Sequence, residues 1–179
     1  MDFYNSDPAA VTALLASLPE LRAAGLKVLE PCAGAGALAK QYTFLSKNEV
    51  DMIDIAPRQE QIQQADYMKF ECYGQYDLII SNFPFGDDFD RLVNKALSDV
   101  KEGGYVVSLQ RVSSLTSKKR YNSIYSRRRP EIILLFSRRL KCYKEKPSEL
   151  IHTDKDFCWV VWHKVDGFYS KETKIEWIV

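Results

Sequence analysis

Two short stretches of this 179-residue chain hold side chains whose type and spacing could do chemistry. In the first, Glu30-Pro31-Cys32-Ala33-Gly34-Ala35-Gly36, glycines alternate with small residues between a short apolar run and a helical one. Glycine lets a backbone bend sharply and approach a ligand closely, and the amino end of the helix that follows offers unpaired N–H groups. Many such turns use glycine for steric reasons alone, so the turn gains meaning only from its neighbours. The next apolar run ends in Asp54, 18 residues beyond Gly36, where an acidic side chain can accept both ribose hydroxyls of an adenosine-containing cofactor. No third glycine completes a dinucleotide fingerprint, and no lysine stands in the turn to hold a triphosphate. Glu30, directly before the glycines, is ill suited to phosphate. It suits a cofactor that carries an ammonium and a sulfonium, which points to S-adenosylmethionine; the alternative is a strand-end carboxylate that caps the next helix. The second stretch, Ser81-Asn82-Phe83-Pro84-Phe85, ends another apolar run with an amide and two aromatic rings. Taken alone it is either a site or a turn with aromatic core anchors.

Both stretches need strands that end side by side. Residues 27–30 and 49–55 read as strands, the first followed by the glycine turn and a helix, the second by a polar helix through Gln59, Gln61, Gln63 and Gln64. Residues 76–82 (YDLIISN) are apolar on both faces, as in a parallel sheet covered on each side. A helix over 87–101 follows, with Phe89, Leu92, Val93, Ala96, Leu97 and Val100 at helical spacing, then the strand YVVSL at 105–109. Strands at 131–136 and 157–165, and a strand or tail at 174–179, complete the pattern. Ahead of it all, Asp7 and Pro8 open an amphipathic helix over 7–24, interrupted at Pro19. Strand–helix alternation predicts an α/β fold: one Rossmann-like domain with a mostly parallel sheet and helices on both faces. Trp159 and Trp162 are expected in the core, and His163 is a surface strand histidine without a role.

Composition narrows the function classes. No segment approaches the roughly 20 apolar residues needed to span a bilayer, and no secretory leader opens the chain, so a cytoplasmic location and no membrane partner are expected. Cys32, Cys72, Cys142 and Cys158 form no CxxC pair and no ligand spacing with His152 or His163, which argues against disulfides and a metal site. The net charge of +1 hides an asymmetry: residues 1–100 hold eight basic and fifteen acidic side chains, residues 101–179 seventeen and nine. The basic ones cluster at Lys118, Lys119, Arg120, at Arg127, Arg128, Arg129, and at Arg138, Arg139, Lys141, Lys144 and Lys146. Residues 111–129, where cations interleave with Tyr121, Tyr125 and several hydroxyls, are the expected substrate-recognition loop, suited to phosphate and base contact; a solvated basic face is the bland alternative.

The two motifs together resemble those of the amino-methyltransferases: LEPCAGAGAL is similar to their cofactor motif and SNFPF to the motif usually written (D/N)PP(Y/F). NSDPAAV resembles the segment that closes over the methionine end of the cofactor in one subgroup of DNA adenine methyltransferases. RRPEIILLFSRRLKC and DFCWVVWHKV resemble the closing strands of small phage-type adenine methyltransferases. The resemblance implies a Rossmann-like class I methyltransferase fold, S-adenosylmethionine as cofactor, and methyl transfer to the exocyclic amine of adenine in DNA, in a bacterial cell or phage-infected host. It implies that Glu30, Ala33 and Gly34 line the cofactor, that Asp54 holds the ribose, that Asp66 and Tyr67 sit at the adenine end, and that Ser6, Asp7 and Pro8 flank the methionine tail. Asn82, Phe83, Pro84 and Phe85 would be the catalytic turn. The adenine amine is a poor nucleophile because its lone pair is delocalised into the ring. The Asn82 side-chain oxygen and Phe83 carbonyl would accept its two N–H bonds, and Phe85 would stack on the extruded base.

Phe83 departs from the motif, where proline is usual, although Pro84 still biases residue 83 toward extended backbone. The same motif also serves enzymes acting on RNA or on a protein glutamine. The basic second half favours a polyanion, and the absence of an RNA-binding appendage leans toward DNA. Two further readings are a non-catalytic protein that keeps the cofactor fold and a nucleic-acid surface, and a nucleotide-binding domain unrelated to methyl transfer.

Overall fold

Asp7 and Pro8 open the first helix as the sequence predicts. In this computed structural model, which describes residues 7–143, 150–151 and 155–179, α1 spans Pro8–Ser17, and the Asp7 carboxylate accepts the Ala9 N–H at 3.0 Å. Ser6, Lys144, Lys146 and His152 lie outside the described residues. Pro19 forbids Leu18 the helical region: Leu18 takes φ −127° and ψ 76°, and the chain resumes as a 3-10 turn, Pro19–Arg22. Then come β1 (Val28–Pro31), α2 (Ala37–Ser46) and β2 (Val50–Asp54). The expected polar helix after β2 does not form; turns lead to a two-residue strand, β3 (Gln63–Gln64). Ile62 is the only buried residue between 58 and 64, and a helix with no apolar stripe has nothing to hold it on the sheet.

A 3-10 turn, Tyr67–Lys69, precedes β4 (Leu78–Ser81), α3 (Phe89–Asp99) and β5 (Tyr105–Arg111). The segment beyond β5 is ordered: a 3-10 turn, Val112–Ser114, then one turn of helix, α4 (Lys118–Arg120), which widens into a π-helical turn, Tyr121–Tyr125. Next come β6 (Ile132–Phe136), the paired β7 (Cys142–Tyr143) and β8 (Leu150–Ile151), β9 (Phe157–His163) and β10 (Lys174–Ile178). Residues 174–178 are therefore strand, pairing parallel with β6.

One eight-stranded sheet runs in the order β10-β6-β9-β5-β4-β1-β2-β3. All its pairings are parallel except those of β9, which runs antiparallel between β5 and β6. From β1 the chain builds outward through β2 to β3, then returns to β4 on the other side of β1 and builds toward β5. That reversal is a topological switch point, and the connections that leave β1 and β4 diverge there.

Alternate strand residues supply two cores. Val28, Leu78, Ile80, Val107, Leu109, Leu134, Trp159 and Val161 pack with α1 and α2. Leu29, Ile79, Val106, Ile133, Val160 and Trp162 pack with α3 and the π turn. Trp159 and Trp162 are fully buried on opposite faces of β9. Each ring holds a covering layer by a hydrogen bond at 2.9 Å, Trp159 Nε1 to the Ala10 carbonyl and Trp162 Nε1 to that of Arg128. Among the described residues no helix is long and apolar enough to cross a membrane.

Asp7 does more than start α1. Its second oxygen accepts the Lys141 N–H at 3.1 Å and lies 3.7 Å from the Arg138 guanidinium, so one buried carboxylate ties the amino-terminal helix to the chain after β6. Asp7→Ala should lower the unfolding free energy by about 1–3 kcal/mol. Urea unfolding measures this, and an unchanged midpoint would mean that the anchor contributes nothing.

Candidate functional site

The glycine turn after β1 is held by the end of β2. The Ile53 carbonyl accepts the N–H groups of Cys32 and Ala33 at 2.9 and 3.0 Å. One Asp54 oxygen accepts the Gly34 N–H at 2.7 Å and the other the Ala56 N–H at 2.8 Å. Asp54 thus sets the shape of the turn, and each of its oxygens keeps further lone-pair capacity toward the crevice. The backbone is bent hard: φ is 95° at Cys32, 57° at Gly34 and 71° at Gly36. Cys32 carries a side chain at positive φ, a conformation kept only where surrounding bonds over-determine it. At Gly36 a Cβ would meet the Met52 sulfur at 3.0 Å, so this glycine serves close packing as well as the turn.

Glu30 is 3% exposed, and its carboxylate accepts the Ala39 N–H at 2.9 Å, in the first turn of α2. The sequence alternative of a helix-capping carboxylate is therefore realised. Burial nonetheless outweighs that bond: desolvation, with a small addition from Asp54, pushes the Glu30 carboxyl up to about 8. Glu30, Asp54 and Asp66 converge on Cys32, whose thiol is pushed upward by its burial and by all three carboxylates. Asp66 caps the next 3-10 turn through the Met68 N–H at 3.0 Å and has Lys69 3.9 Å away. No lysine or arginine is among the groups that act on Glu30. The turn is an acidic, strongly bent cradle, fit for a cation and hostile to phosphate. Ala33 and Gly34 are buried in it. The Tyr67 ring lies in the core with Lys95 Nζ 5.0 Å from its centre, which leaves its backbone to face a ligand.

The second motif leaves β4 on the other flank of the switch point. Asn82 and Pro84 are half-buried, and Asn82 Oδ1 is shielded from solvent. Phe83 is fully buried, edge-on to Phe89 with ring centres 6.5 Å apart. The residue that departs from the motif is thus a core anchor that fixes the backbone beside Asn82. Phe85 stacks on Phe89 at 6.1 Å, meets Phe157 at 6.3 Å, and has the Arg111 guanidinium 4.7 Å above its ring.

The basic segment separates into two sets. Arg120 lies over the Phe89 ring at 4.4 Å and 3.3 Å from the Asp90 carboxylate, which also accepts the Ser123 hydroxyl at 2.6 Å. Arg128 reaches the Asn94 carbonyl at 2.8 Å and the Ser98 hydroxyl at 3.0 Å. These two arginines staple the segment to α3, Arg120 through its Nε and Arg128 through both terminal nitrogens. Arg129 spends one donor on the Lys171 carbonyl but stays exposed. Lys118, Lys119 and Arg127 face solvent, with Lys119 3.9 Å from exposed Asp87. Sequence reasoning missed Asp90, Arg111 and the Gln110 side chain, whose oxygen accepts the Ser114 and Tyr125 hydroxyls at 2.9 Å each. Only Arg111 had a readable signal, as a cation ending a parallel strand. Among the described residues no group of His, Cys, Asp and Glu could hold a metal ion.

No protein-family model and no curated protein matches this chain. Solved structures do. A protein of Listeria monocytogenes assigned as a class I S-adenosylmethionine-dependent methyltransferase matches with a TM-score of 0.66 at 17% identity over 96% of this chain. An S-adenosylmethionine-dependent O-methyltransferase of Thermotoga maritima matches with 0.57 at 16% over 87%. A Pyrococcus horikoshii protein assigned as an RNA methyltransferase matches with 0.56 at 16% over 88% of this chain and 83% of its own. The chain spans 65% and 64% of the length of the first two. The fold is the Rossmann-like class I methyltransferase fold.

Glu30 holds its proton more tightly in the folded chain, at about 8, than at its ordinary value of 4.5. Its contribution to stability is therefore complete below pH 4.5 and is lost as pH rises through 8. Glu30→Gln keeps an acceptor for Ala39 and removes the titration. Across this window the variant should gain on the parent by on the order of a few kcal/mol, read from urea unfolding at stepped pH; parallel curves would refute the buried-acid assignment.

Proposed function

We propose that this chain binds S-adenosylmethionine in the acidic turn after β1 and methylates the exocyclic amine of adenine in DNA at the turn after β4. The observation that carries this reading is the pairing of those two turns at one switch point: a bent cradle where Glu30, Asp54 and Asp66 converge, flanked by Asn82 and a buried aromatic anchor. The structural neighbours assigned as S-adenosylmethionine-dependent methyltransferases support the cofactor, and the acceptor follows from the residues of this chain.

The donor set fits the cofactor. Glu30 would face its positive groups, Asp54 the ribose hydroxyls through its remaining lone pairs, and Ala33, Gly34, Asp66 and the Tyr67 backbone the rest of its length. Asp7 and Pro8 contribute by position, since the Asp7 carboxylate is engaged within the fold. Bound there, the cofactor supplies an electrophilic methyl group. The remaining work belongs to the chain. Asn82 Oδ1 and the Phe83 carbonyl accept the two N–H bonds of the amine and draw its nitrogen toward tetrahedral geometry, and the surplus proton leaves to water. Burial of the Phe83 ring holds that carbonyl in place where the usual motif relies on proline. Shielding of Asn82 Oδ1 from solvent strengthens its bond to the amine. Phe85 offers an aromatic face to a base extruded from the duplex. DNA is favoured as the polymer by the exposed cations Lys118, Lys119, Arg127 and Arg129 of the segment after β5, of which Lys119 lies 3.9 Å from Asp87, just beyond this turn.

Tritiated S-adenosylmethionine offered with unmethylated duplex DNA, RNA or a protein extract tests the reading. Label recovered as N6-methyladenine in DNA is expected; label in RNA or protein would move the substrate, and no label would remove the activity. Asn82→Ala should lower transfer by roughly 10²-fold or more while calorimetry finds cofactor affinity within a few-fold of the parent. Full activity would exclude Asn82 as the acceptor. Replacing Lys118, Lys119 and Arg127 together by Ala should reduce the salt slope of DNA binding by roughly 2 to 3; an unchanged slope would take α4 out of the interface.

A further inference from the structure

Phe85 cannot receive a base as it stands. Its ring packs against Phe89 and Phe157, and the Arg111 guanidinium lies over it at 4.7 Å. Arg111 ends β5, whose parallel register with β4 (Ser81 opposite Ser108) carries it to the same edge of the crevice as the Asn82–Phe85 turn. Across β9 it sits opposite Phe157, so the two side chains flank Phe85 together.

Arg111 is also poorly served where it is. Its Nε is shielded from solvent and has no hydrogen-bond partner. Among the described residues Arg120, Arg138 and Arg139 are paired with Asp90, Asp7 and Asp156, while no ion pair is formed by Arg111. An aromatic face holds a guanidinium weakly compared with an anion, and a shielded donor without a partner raises the gain from finding one. The planar fork of arginine matches phosphate oxygens, which lysine meets only as a point charge.

We propose that Arg111 covers Phe85 until a nucleotide enters, then leaves the ring to the target base and pairs with the phosphate that flanks it. The proposal rests on the reading of this site as a polynucleotide methyltransferase and adds a ligand to it: a backbone phosphate next to the extruded base, bound from β5 and not from the basic segment. One side chain would then couple base entry to backbone capture, so that a free nucleoside, which brings no phosphate, is a poor substrate. Arg111 would be a positioning residue for the base and a direct contact for the phosphate.

The test uses duplex oligonucleotides around an adenine that the labelling experiment finds methylated, with single neutral methylphosphonate linkages placed on either side of it. With the parent protein, neutralising one flanking linkage should weaken binding about tenfold and raise KM more than it lowers kcat. Arg111→Ala should bind the unmodified duplex about tenfold more weakly, with a salt slope smaller by roughly 0.9, unchanged cofactor affinity, and no further loss from the neutral linkage. Arg111→Lys should retain the slope and recover part of the affinity. If neither flanking linkage matters to the parent protein, or if Arg111→Ala loses as much from neutralisation as the parent does, the proposal is overturned and methylation by the parent still stands. The first of these outcomes needs no variant to fold. If the parent labels no polynucleotide, the underlying reading fails, and the phosphate contact fails with it.

Discussion

Parallel strands must be joined by crossovers, and in this chain the crossovers that leave β1 and β4 diverge because strand order reverses between them. The crevice at their carboxyl ends is a consequence of that reversal and does not depend on any one side chain. It brings residues 30–36 and 81–85, distant in sequence, to two flanks of one opening. The antiparallel β9 lies on the other side, between β5 and β6. With a tryptophan buried on each face and bonded to α1 and to Arg128 of the segment after β5, it fixes both covering layers relative to the strands that carry the site.

Within that frame the electrostatics are arranged against an ordinary stability optimum. A carboxyl as buried as Glu30 would normally be paired with a cation or bonded by several donors. Here it has one backbone N–H, one acidic neighbour, Asp54, and no basic group acting on it. Asp54 spends both oxygens on shaping the turn, and Cys32 accepts a positive φ to complete it. Backbone strain and a carboxyl held protonated by burial are concentrated in one turn, and a cationic ligand would favour ionisation of that carboxyl.

The basic second half has a divided purpose. Arg120 and Arg128 are part of the packing of the segment on α3, together with Asp90, Asn94 and Ser98, while Lys118, Lys119 and Arg127 are left to solvent. The π-helical turn at Tyr121–Tyr125 is the point where the segment gives up regular helix to reach these partners. The segment is therefore built, and its exposed cations are carried on an anchored base that runs along α3.

What the sequence by itself determined is what depends on local periodicity and turn chemistry. Apolar runs of strand length, the helical stripe of α3, the break at Pro19 and the glycine turn ending near Asp54 all concern neighbours within a few residues, and they suffice for the alternating α/β plan and the two motif turns. The same reasoning erred at residues 58–64, where polar composition suits a helix but no apolar stripe exists to dock one. Tertiary structure alone decided which cations are spent, because Arg120 and Arg128 differ from Lys118 and Arg127 only in having Asp90 and Asn94 within reach across 30 or more residues. It alone decided that the Tyr67 ring belongs to the core, that Asp7 joins two ends of the chain, and that Arg111 rests on Phe85. Such pairings are set by strand register and by which faces are packed together, and those quantities are fixed only when the whole sheet is assembled.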